Sequence, residues 1–198
     1  KFLIALKKAC KKNNTLLIFD EICTGFRVSL GGVQKIYNIK PNLSTFGKAM
    51  GNGFPISALV GQKKIMRNFD KVFYSGTFGG ETVSLEACMQ TIKFLKKNRS
   101  IEKNIKKGQY LMNKFNKISK FYGLNEKIFL SGHPSWPFLM IKNFSDTNQR
   151  SIKTYFMQEY ALQNILFFGS YNINASHNFK DLNKVIKISE KILQKLNQ

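Results

Sequence analysis

The chain has 198 residues, of which 43% are hydrophobic and 22% charged, so we expect one large or two small globular domains and exclude a disordered protein. No apolar run approaches the ~20 residues that cross a bilayer, and we expect no membrane span. The net charge of +21 would fit nucleic-acid binding, but arginine, the preferred reader of bases, occurs only four times, so we expect no nucleic-acid partner.

Cysteine and histidine usage predicts no metal centre and favours a reducing compartment. The three cysteines, Cys10, Cys23 and Cys88, have no metal-ligand spacing, and only His133 and His177 accompany them. An odd, scattered set of cysteines is typical of reduced thiols, which predicts a cytoplasmic protein. The chain also begins with an amphipathic segment rather than the apolar core of a signal peptide. We expect Cys23 to act as a small packed hydrophobe.

The first part of the chain alternates helix, strand and loop. Residues 2–12 carry apolar side chains at helical spacing. The continuous apolar run at 16–19 predicts a strand buried on both faces, as parallel sheets contain, and it ends at Asp20. A second strand is predicted over 56–60 and a helix from about residue 81 to 97. This order of elements indicates an α/β layer architecture.

The pattern changes after residue 98, where long amphipathic segments replace the short alternation. The predicted elements are a long helix over 101–118, a turn at 132–134, a strand over 138–141, a helix over 151–163, an extended segment over 165–168 and a closing amphipathic helix over 182–196. We therefore place a domain boundary near residue 98, which divides the chain into 1–98 and 99–198.

Lys48 follows a glycine, which by itself suggests a phosphate-binding P-loop. That motif needs glycine at position 42 and serine or threonine at position 49. The chain has Asn42 and Ala49 instead, so the P-loop is excluded. Asp20, by contrast, ends a predicted strand, and open α/β sheets bind ligands beyond the carboxyl ends of their strands.

Asp20, Lys48 and the glycine-rich loop at 76–80 match the three groups that pyridoxal phosphate (PLP) chemistry requires. An amine must form an imine with the cofactor aldehyde. A carboxylate must face the ring nitrogen and keep it protonated, so that the ring acts as an electron sink. Backbone N–H groups and hydroxyls must surround the phosphate. We predict Lys48, Asp20 and the loop in these three roles, in that order.

Four motifs, in this order along the chain, resemble those of the class III (fold type I) PLP-dependent aminotransferases, and most closely the glutamate-1-semialdehyde aminomutase-like subgroup. The motifs are LIFDE at 17–21, TGFR at 24–27, TFGK at 45–48 and SGTFGGET at 75–82. The resemblance implies the C-terminal part of such an enzyme, with an α/β fold. Residues 1–98 would then belong to the large domain with its mixed or parallel sheet, and 99–198 would form a small α+β domain.

The resemblance also implies a role for each matching residue. Lys48 is the Schiff-base lysine, which in addition moves a proton between the substrate carbon and the cofactor. Asp20 pairs with the ring nitrogen, and Ile22 lies against one face of the ring. Thr77 reaches the PLP phosphate of the neighbouring subunit, which implies a homodimer with shared active sites. The substrates implied are a small-molecule amino donor and an aldehyde or keto acceptor.

Two further alternatives concern what the protein does with this site. Aminomutases proper usually carry Leu-Ser-Gly-Asn-Pro after the phosphate threonine, whereas this chain has Phe-Gly-Gly-Glu-Thr at 78–82. That difference favours an aminotransferase over an intramolecular aminomutase, which stays an alternative. The chain begins without methionine and lacks the family's N-terminal half, so a truncated fragment that is inactive by itself is the other alternative. Glu21 and Arg27 match motif positions and are expected to order their loop.

Overall fold

The chain is divided into two units, Lys1–Ile101 and Glu102–Gln198, in a computed structural model that describes residues 1–197. The change of pattern near residue 98 coincides with a short break between two helices, which end at Lys97 and begin at Ser100. The assignment of the two units to a large and a small domain stays a prediction. No helix within the described residues is long and apolar enough to cross a membrane.

A three-stranded mixed sheet organises the first unit. Its strands, in spatial order, are β1 (Ile18–Asp20), β2 (Leu43–Phe46) and β3 (Ala58–Gly61). β1 runs parallel to β2, with Asp20 opposite Thr45, and β3 runs antiparallel to β2. β3 confirms the strand predicted over 56–60, although it begins two residues later and ends one residue later than predicted.

Side chains of β1 alternate between the core and the surface. Leu17 and Phe19 are buried and form a cluster with Ile39. Leu16 and Ile18 are 49% and 54% exposed. The expected burial on both faces is therefore wrong for this chain, because successive strand residues point to opposite faces and only one face of β1 is covered.

The first unit contains four α-helices. They are α1 (Phe2–Lys12), α2 (Gly32–Ile36), α3 (Lys63–Met66) and α4 (Thr82–Lys97). α1 and α4 confirm the predicted helices at 2–12 and 81–97. α2 and α3 have five and four residues, too few for an apolar repeat to develop, and they were not predicted.

The second unit combines a β-hairpin with three long helices. The elements are α5 (Ser100–Phe121), β4 (Ile128–His133), β5 (Trp136–Ile141), α6 (Asp146–Ala161) and α7 (Phe179–Leu196). β4 pairs antiparallel with β5, so the predicted turn at 132–134 lies partly inside β4, and the chain reverses at Pro134 and Ser135. β4 was not predicted. Residues 165–168 lie in no strand, and the neighbouring Ser170 forms a single bridge with Phe138.

One aromatic side chain lies at the centre of the second unit's core. Tyr160 of α6 is fully buried, and its hydroxyl is hydrogen-bonded to Tyr171 Oη at 2.8 Å and to Ser189 Oγ at 2.6 Å. Burial raises the pKa of Tyr160 to about 12, because the phenolate would lose its hydration. Phe156 and Phe167 pack edge-on against the same ring. The satisfied hydroxyl allows this polar group to stay in an apolar core.

Gly108 allows helix α5 to approach the β4–β5 turn closely, and its replacement by alanine should destabilise the second unit. A Cβ at this position would overlap the carbonyl group of Pro134. Alanine favours a helix by ~1 kcal/mol over glycine, but we expect the overlap to reverse that gain and to lower the free energy of unfolding by ~2 kcal/mol. Urea denaturation measures this. Gln109→Ala, at the exposed neighbouring position, should stay within ~0.5 kcal/mol of the parent protein. Equal stability of the two variants would contradict the proposed close packing.

Candidate active site

Asp20 lies at the carboxyl end of β1, on the edge of the sheet where β2 also ends. Its Oδ1 accepts hydrogen bonds from the Ile22 backbone N–H at 3.0 Å and from the Thr45 hydroxyl at 3.3 Å. Among residues 1–197, no hydrogen bond is made to its Oδ2, and the side chain is exposed. The carboxylate is thus oriented through one oxygen, while the other is available to a ligand.

Lys48 follows β2 with a left-handed backbone. Its φ is +44°, in a region that costs a side-chain-bearing residue about 1–2 kcal/mol. The conformation is held by a short 3-10 turn over Lys48–Met50, in which the backbone N–H groups of Gly51 and Asn52 both donate to the Lys48 carbonyl at 3.1 Å. The side chain is exposed. The strained backbone therefore presents an amine at the same edge as Asp20.

Cys23 and Ile22 connect the loop after β1 to the turn after β2. Nζ of Lys48 donates a hydrogen bond to Sγ of Cys23. A Cβ placed on Gly47 would lie 3.6 Å from Cγ2 of Ile22, so this isoleucine lies beside the lysine turn. Cys23 is half-buried and accepts a hydrogen bond from the amine, so it does more than fill space as the expected packed hydrophobe. Only the pairing of the two strands, which sequence spacing does not specify, reveals this contact.

Arg27 and Glu21 belong to the loop that follows Asp20. The Arg27 side chain is partly buried, and that burial lowers the pKa of its guanidinium, while the charge of Cys23 acts in the opposite direction. Glu21 is 1% exposed and accepts three hydrogen bonds within the loop region. The contacts of Glu21 agree with the expected ordering role, whereas the ordering role of Arg27 stays a prediction.

Thr77 lies in an exposed segment apart from these residues. None of the hydrogen bonds described for residues 1–197 joins it to Asp20 or Lys48, and residues 71–80 are all exposed. The helix that follows, α4, already has an anion at its start: Glu81 accepts from the N–H groups of Val83 at 2.8 Å and Ser84 at 2.6 Å. Hydrogen bonds from Ser84 and Val83 lower the pKa of Glu81. Glu81 therefore occupies two N–H groups at the start of α4, and the phosphate-binding roles of the loop at 76–80 and of Thr77 stay predictions.

The residues grouped at the sheet edge form a chemically specific set. An exposed amine, an exposed carboxylate with one open oxygen, a thiol and an aliphatic side chain come from the ends of two parallel strands. The amine can form a covalent bond with a carbonyl group, and the carboxylate can hold a cationic nitrogen. No group of histidine, cysteine or acidic residues within the described part of the chain can hold a metal ion.

Comparisons with known proteins give a consistent result. Residues 1–132 match the family model of the class-III aminotransferases. The chain is 33% identical to a glutamate-1-semialdehyde 2,1-aminomutase of Francisella philomiragia, with 98% of this chain and 48% of that protein covered. It is 31% identical to the enzyme of the same name from Fusobacterium nucleatum, with 100% and 49% covered. The chain thus spans about half the length of the curated relatives it matches.

Solved structures with the same fold include an omega-transaminase and a protein in a PLP-bound form. An omega-transaminase from Sphaerobacter thermophilus matches with a TM-score of 0.90 at 19% identity, covering 100% of this chain and 48% of that one. The FumI protein of Sphingopyxis sp. MTA144, in its PLP internal aldimine form, matches with a TM-score of 0.85 at 24% identity, covering 96% and 45%. At these identities the likeness concerns the fold. It confirms the predicted class, the C-terminal part of a fold type I transferase with mixed α/β structure.

The left-handed backbone of Lys48 predicts an unusual order of stability among variants that lack the amine. Glycine adopts positive φ without a Cβ penalty, whereas alanine retains it. We therefore expect Lys48→Gly to unfold with a free energy ~1 kcal/mol higher than Lys48→Ala, the reverse of the order in a helix. Urea denaturation of the two variants, both without added cofactor, measures the difference. Alanine as the more stable of the two would show that residue 48 has an ordinary backbone.

Proposed function

Since the chain belongs to the class-III aminotransferase family, we propose that the whole protein transfers an amino group from a small-molecule amino donor to an aldehyde or keto acceptor. The observation that carries this proposal is the exposed amine of Lys48 at the sheet edge where Asp20 also ends its strand. The predicted resemblance to this family is confirmed. The chain spans about half the length of its relatives, so we attribute the activity to a longer protein and expect this segment to be inactive alone.

The cofactor is pyridoxal phosphate, as the family and the PLP-bound form of a matching structure support. When bound, this cofactor supplies an aldehyde that receives the amino group and a ring that stores the electron pair of the substrate carbon. The residues at the sheet edge suit it chemically. Lys48 would hold it through Nζ, Asp20 would hold the protonated ring nitrogen through Oδ2, and Ile22 would offer an aliphatic surface to the ring.

Lys48 has a second task in this proposal, which is to hold and move a proton. A primary amine must be deprotonated to attack a carbonyl, and once released it can accept a proton from a neighbouring carbon. Cys23 keeps Nζ at the sheet edge through its hydrogen bond in the cofactor-free chain. Thr45 and the Ile22 N–H hold Asp20 in position from the other side, so each chemical group has its own support.

An intramolecular aminomutase is the second candidate, because curated relatives at 31–33% identity carry that name. The two activities differ in how many substrates the enzyme needs. An aminomutase rearranges one molecule that contains both an amine and a carbonyl, whereas an aminotransferase needs a separate donor and acceptor. Product analysis with glutamate-1-semialdehyde alone, and with separate donor and acceptor pairs, distinguishes them.

We also propose that two copies of the protein form a homodimer that covers residues 72–83. This segment exposes large apolar side chains, including Phe73 at 96%, together with Val72, Tyr74, Phe78 and Val83. Contiguous apolar surface of this kind marks an interaction site. Thr77 lies within the same segment, so a second copy would bring it close to a partner, as its role toward the neighbouring phosphate requires.

The location we propose is the cytosol. Cys10, Cys23 and Cys88 are free thiols, and a reducing compartment keeps thiols in that state. Oxidation of Cys23 would also remove its hydrogen bond to Lys48.

Reduction with borohydride tests the assignment of Lys48. In the protein at its full natural length, incubated with PLP, we expect a stable covalent adduct on the peptide that contains Lys48. Lys48→Ala should lose the adduct and at least ~1000-fold of the amino-transfer rate, because the amine acts both as anchor and as base. Lys40→Ala, at an exposed lysine outside the sheet edge, should keep both. An adduct on a different lysine, or turnover by Lys48→Ala, would refute the assignment.

Phe73→Asp tests the proposed dimer. A second copy would bury the charge at this position. We therefore expect the dimer dissociation constant of the variant to be at least ~10-fold higher than that of the parent protein. Phe121→Asp is the matched control, because that phenylalanine is 81% exposed in the second unit and lies outside the proposed interface. Sedimentation velocity over a concentration series gives the result. A variant that dimerises like the parent protein would move the interface elsewhere.

A further inference from the structure

Glu21 is a buried charge directly beside the exposed acid of the site. It is 1% exposed and is the only acidic or basic residue among the described ones that is buried. Removing a carboxylate from water is costly unless hydrogen-bond donors replace its hydration. A buried carboxylate holds its donors in place, so its contacts identify what it positions.

Both oxygens of Glu21 are engaged, and all three donors belong to the loop and helix that follow. Oε2 accepts from the Val33 N–H at 2.9 Å and from the Thr24 hydroxyl, and Oε1 accepts from the Gln34 N–H at 2.9 Å. The two backbone donors lie in the first turn of α2, where they have no partner within the helix. The carboxylate therefore joins residue 21 to Val33 of α2 across eleven intervening residues.

Gly32 shows that the chain makes room for this carboxylate. Its φ is +71°, a conformation that glycine adopts readily. A Cβ at this position would overlap the Glu21 carboxylate. The sequence at the start of α2 is thus suited to admit the glutamate side chain.

Glu21 is also linked to the site through its own backbone, which directly follows β1. The Glu21 N–H donates to the Thr45 carbonyl at 2.9 Å, and the Glu21 carbonyl accepts from Gly25 at 2.7 Å. Strand alternation directs the side chains of Asp20 and Glu21 to opposite sides, one exposed and one buried. Any displacement of Glu21 therefore moves Asp20 relative to Thr45 and to the lysine turn that follows.

α2 is in turn fastened to β2, which precedes Lys48. Nε2 of Gln34 donates to Oγ of Ser44 at 3.2 Å, and Ser44 is a buried residue of β2. Glu21, α2 and β2 thus form a closed connection that runs beneath the sheet edge. The acid and the amine of the site lie on the ends of the two strands that this connection joins.

We propose that Glu21 is a positioning residue for Asp20 and Ile22: its carboxylate, locked onto the start of α2, sets where the acid and the aliphatic contact meet the cofactor. The inference rests on the proposed function, since Asp20 and Ile22 are the residues assigned to the cofactor ring. Glu21 itself touches neither substrate nor cofactor in this assignment. Loss of the Glu21 carboxylate should weaken the contacts of Asp20 and Ile22 with the cofactor ring. Lys48 should still be able to form its covalent bond with the cofactor.

Glu21→Gln is the variant that tests this role, because it keeps the size of the side chain and replaces one acceptor oxygen by an NH₂ group that faces donors. In the full-length protein we expect PLP to dissociate ~10-fold faster, since one hydrogen bond to a charged acceptor is lost. We also expect the absorbance maximum of the bound cofactor to shift, because this band depends on the group that faces the ring nitrogen. Amide exchange of Ile22, whose N–H donates to Asp20, should become faster in the cofactor-free protein.

Gln34→Ala is the matched control. It removes the side-chain bond from α2 to Ser44 but leaves the Gln34 N–H on the Glu21 carboxylate. This variant should be destabilised without a change in the absorbance maximum. Thr24→Val removes one of the three donors and serves if Glu21→Gln does not fold; we expect it to release PLP ~3-fold faster than the parent protein.

The outcomes separate this inference from the proposed function. If the parent protein takes up no PLP, the proposed function is wrong, and this is established before any variant is compared. Suppose that the parent protein binds PLP and that Glu21→Gln, or Thr24→Val if the first variant does not fold, releases PLP at the parent rate with an unchanged absorbance maximum. The positioning role of Glu21 is then refuted, and the proposed function stands. The positioning role is supported if Glu21→Gln releases PLP faster than the parent protein and shifts the absorbance maximum of the bound cofactor, while Gln34→Ala leaves that maximum unchanged.

Discussion

The parallel pairing of β1 with β2 places Asp20 directly opposite Thr45, although 25 residues separate them in the chain. Parallel strands end at the same edge of a sheet, so the loop after β1 and the turn after β2 must meet there. The acid, Cys23 and Lys48 come together for this reason. An antiparallel pairing of the same two segments would have put the acid and the lysine at opposite edges.

Two locally unfavourable features accompany this edge. Lys48 has a left-handed backbone, and Glu21 carries a charge into the interior. Each persists because its surroundings compensate it: two backbone N–H groups hold the Lys48 carbonyl, and three donors surround the Glu21 carboxylate. Unfavourable features of this kind concentrate at functional sites. Strand alternation then gives two adjacent acids different surroundings, one open to a ligand and one enclosed.

Each unit has a buried apolar cluster and also exposes large apolar side chains. The second unit buries a continuous core around Phe115, Phe156 and Tyr160. The first unit exposes Phe73 and one face of β1, and the second exposes Phe121. Such surface fits a chain that spans about half the length of its relatives and, in our proposal, meets a second copy.

The sequence by itself determined the family, the cofactor and the long elements. The four motifs preserve the residue types and spacing that the chemistry demands, and helices of 16 residues or more repeat their apolar positions often enough to be recognised, as α4 and α7 show. Only the tertiary structure decided the strand pairing that brings Asp20 and the Cys23–Lys48 contact to the same sheet edge. It also decided the left-handed conformation of Lys48, the enclosure of Glu21 by α2, and the capping of α4 by Glu81. These features depend on pairing between distant segments and on helices too short to show a period, and a linear pattern carries no information on either.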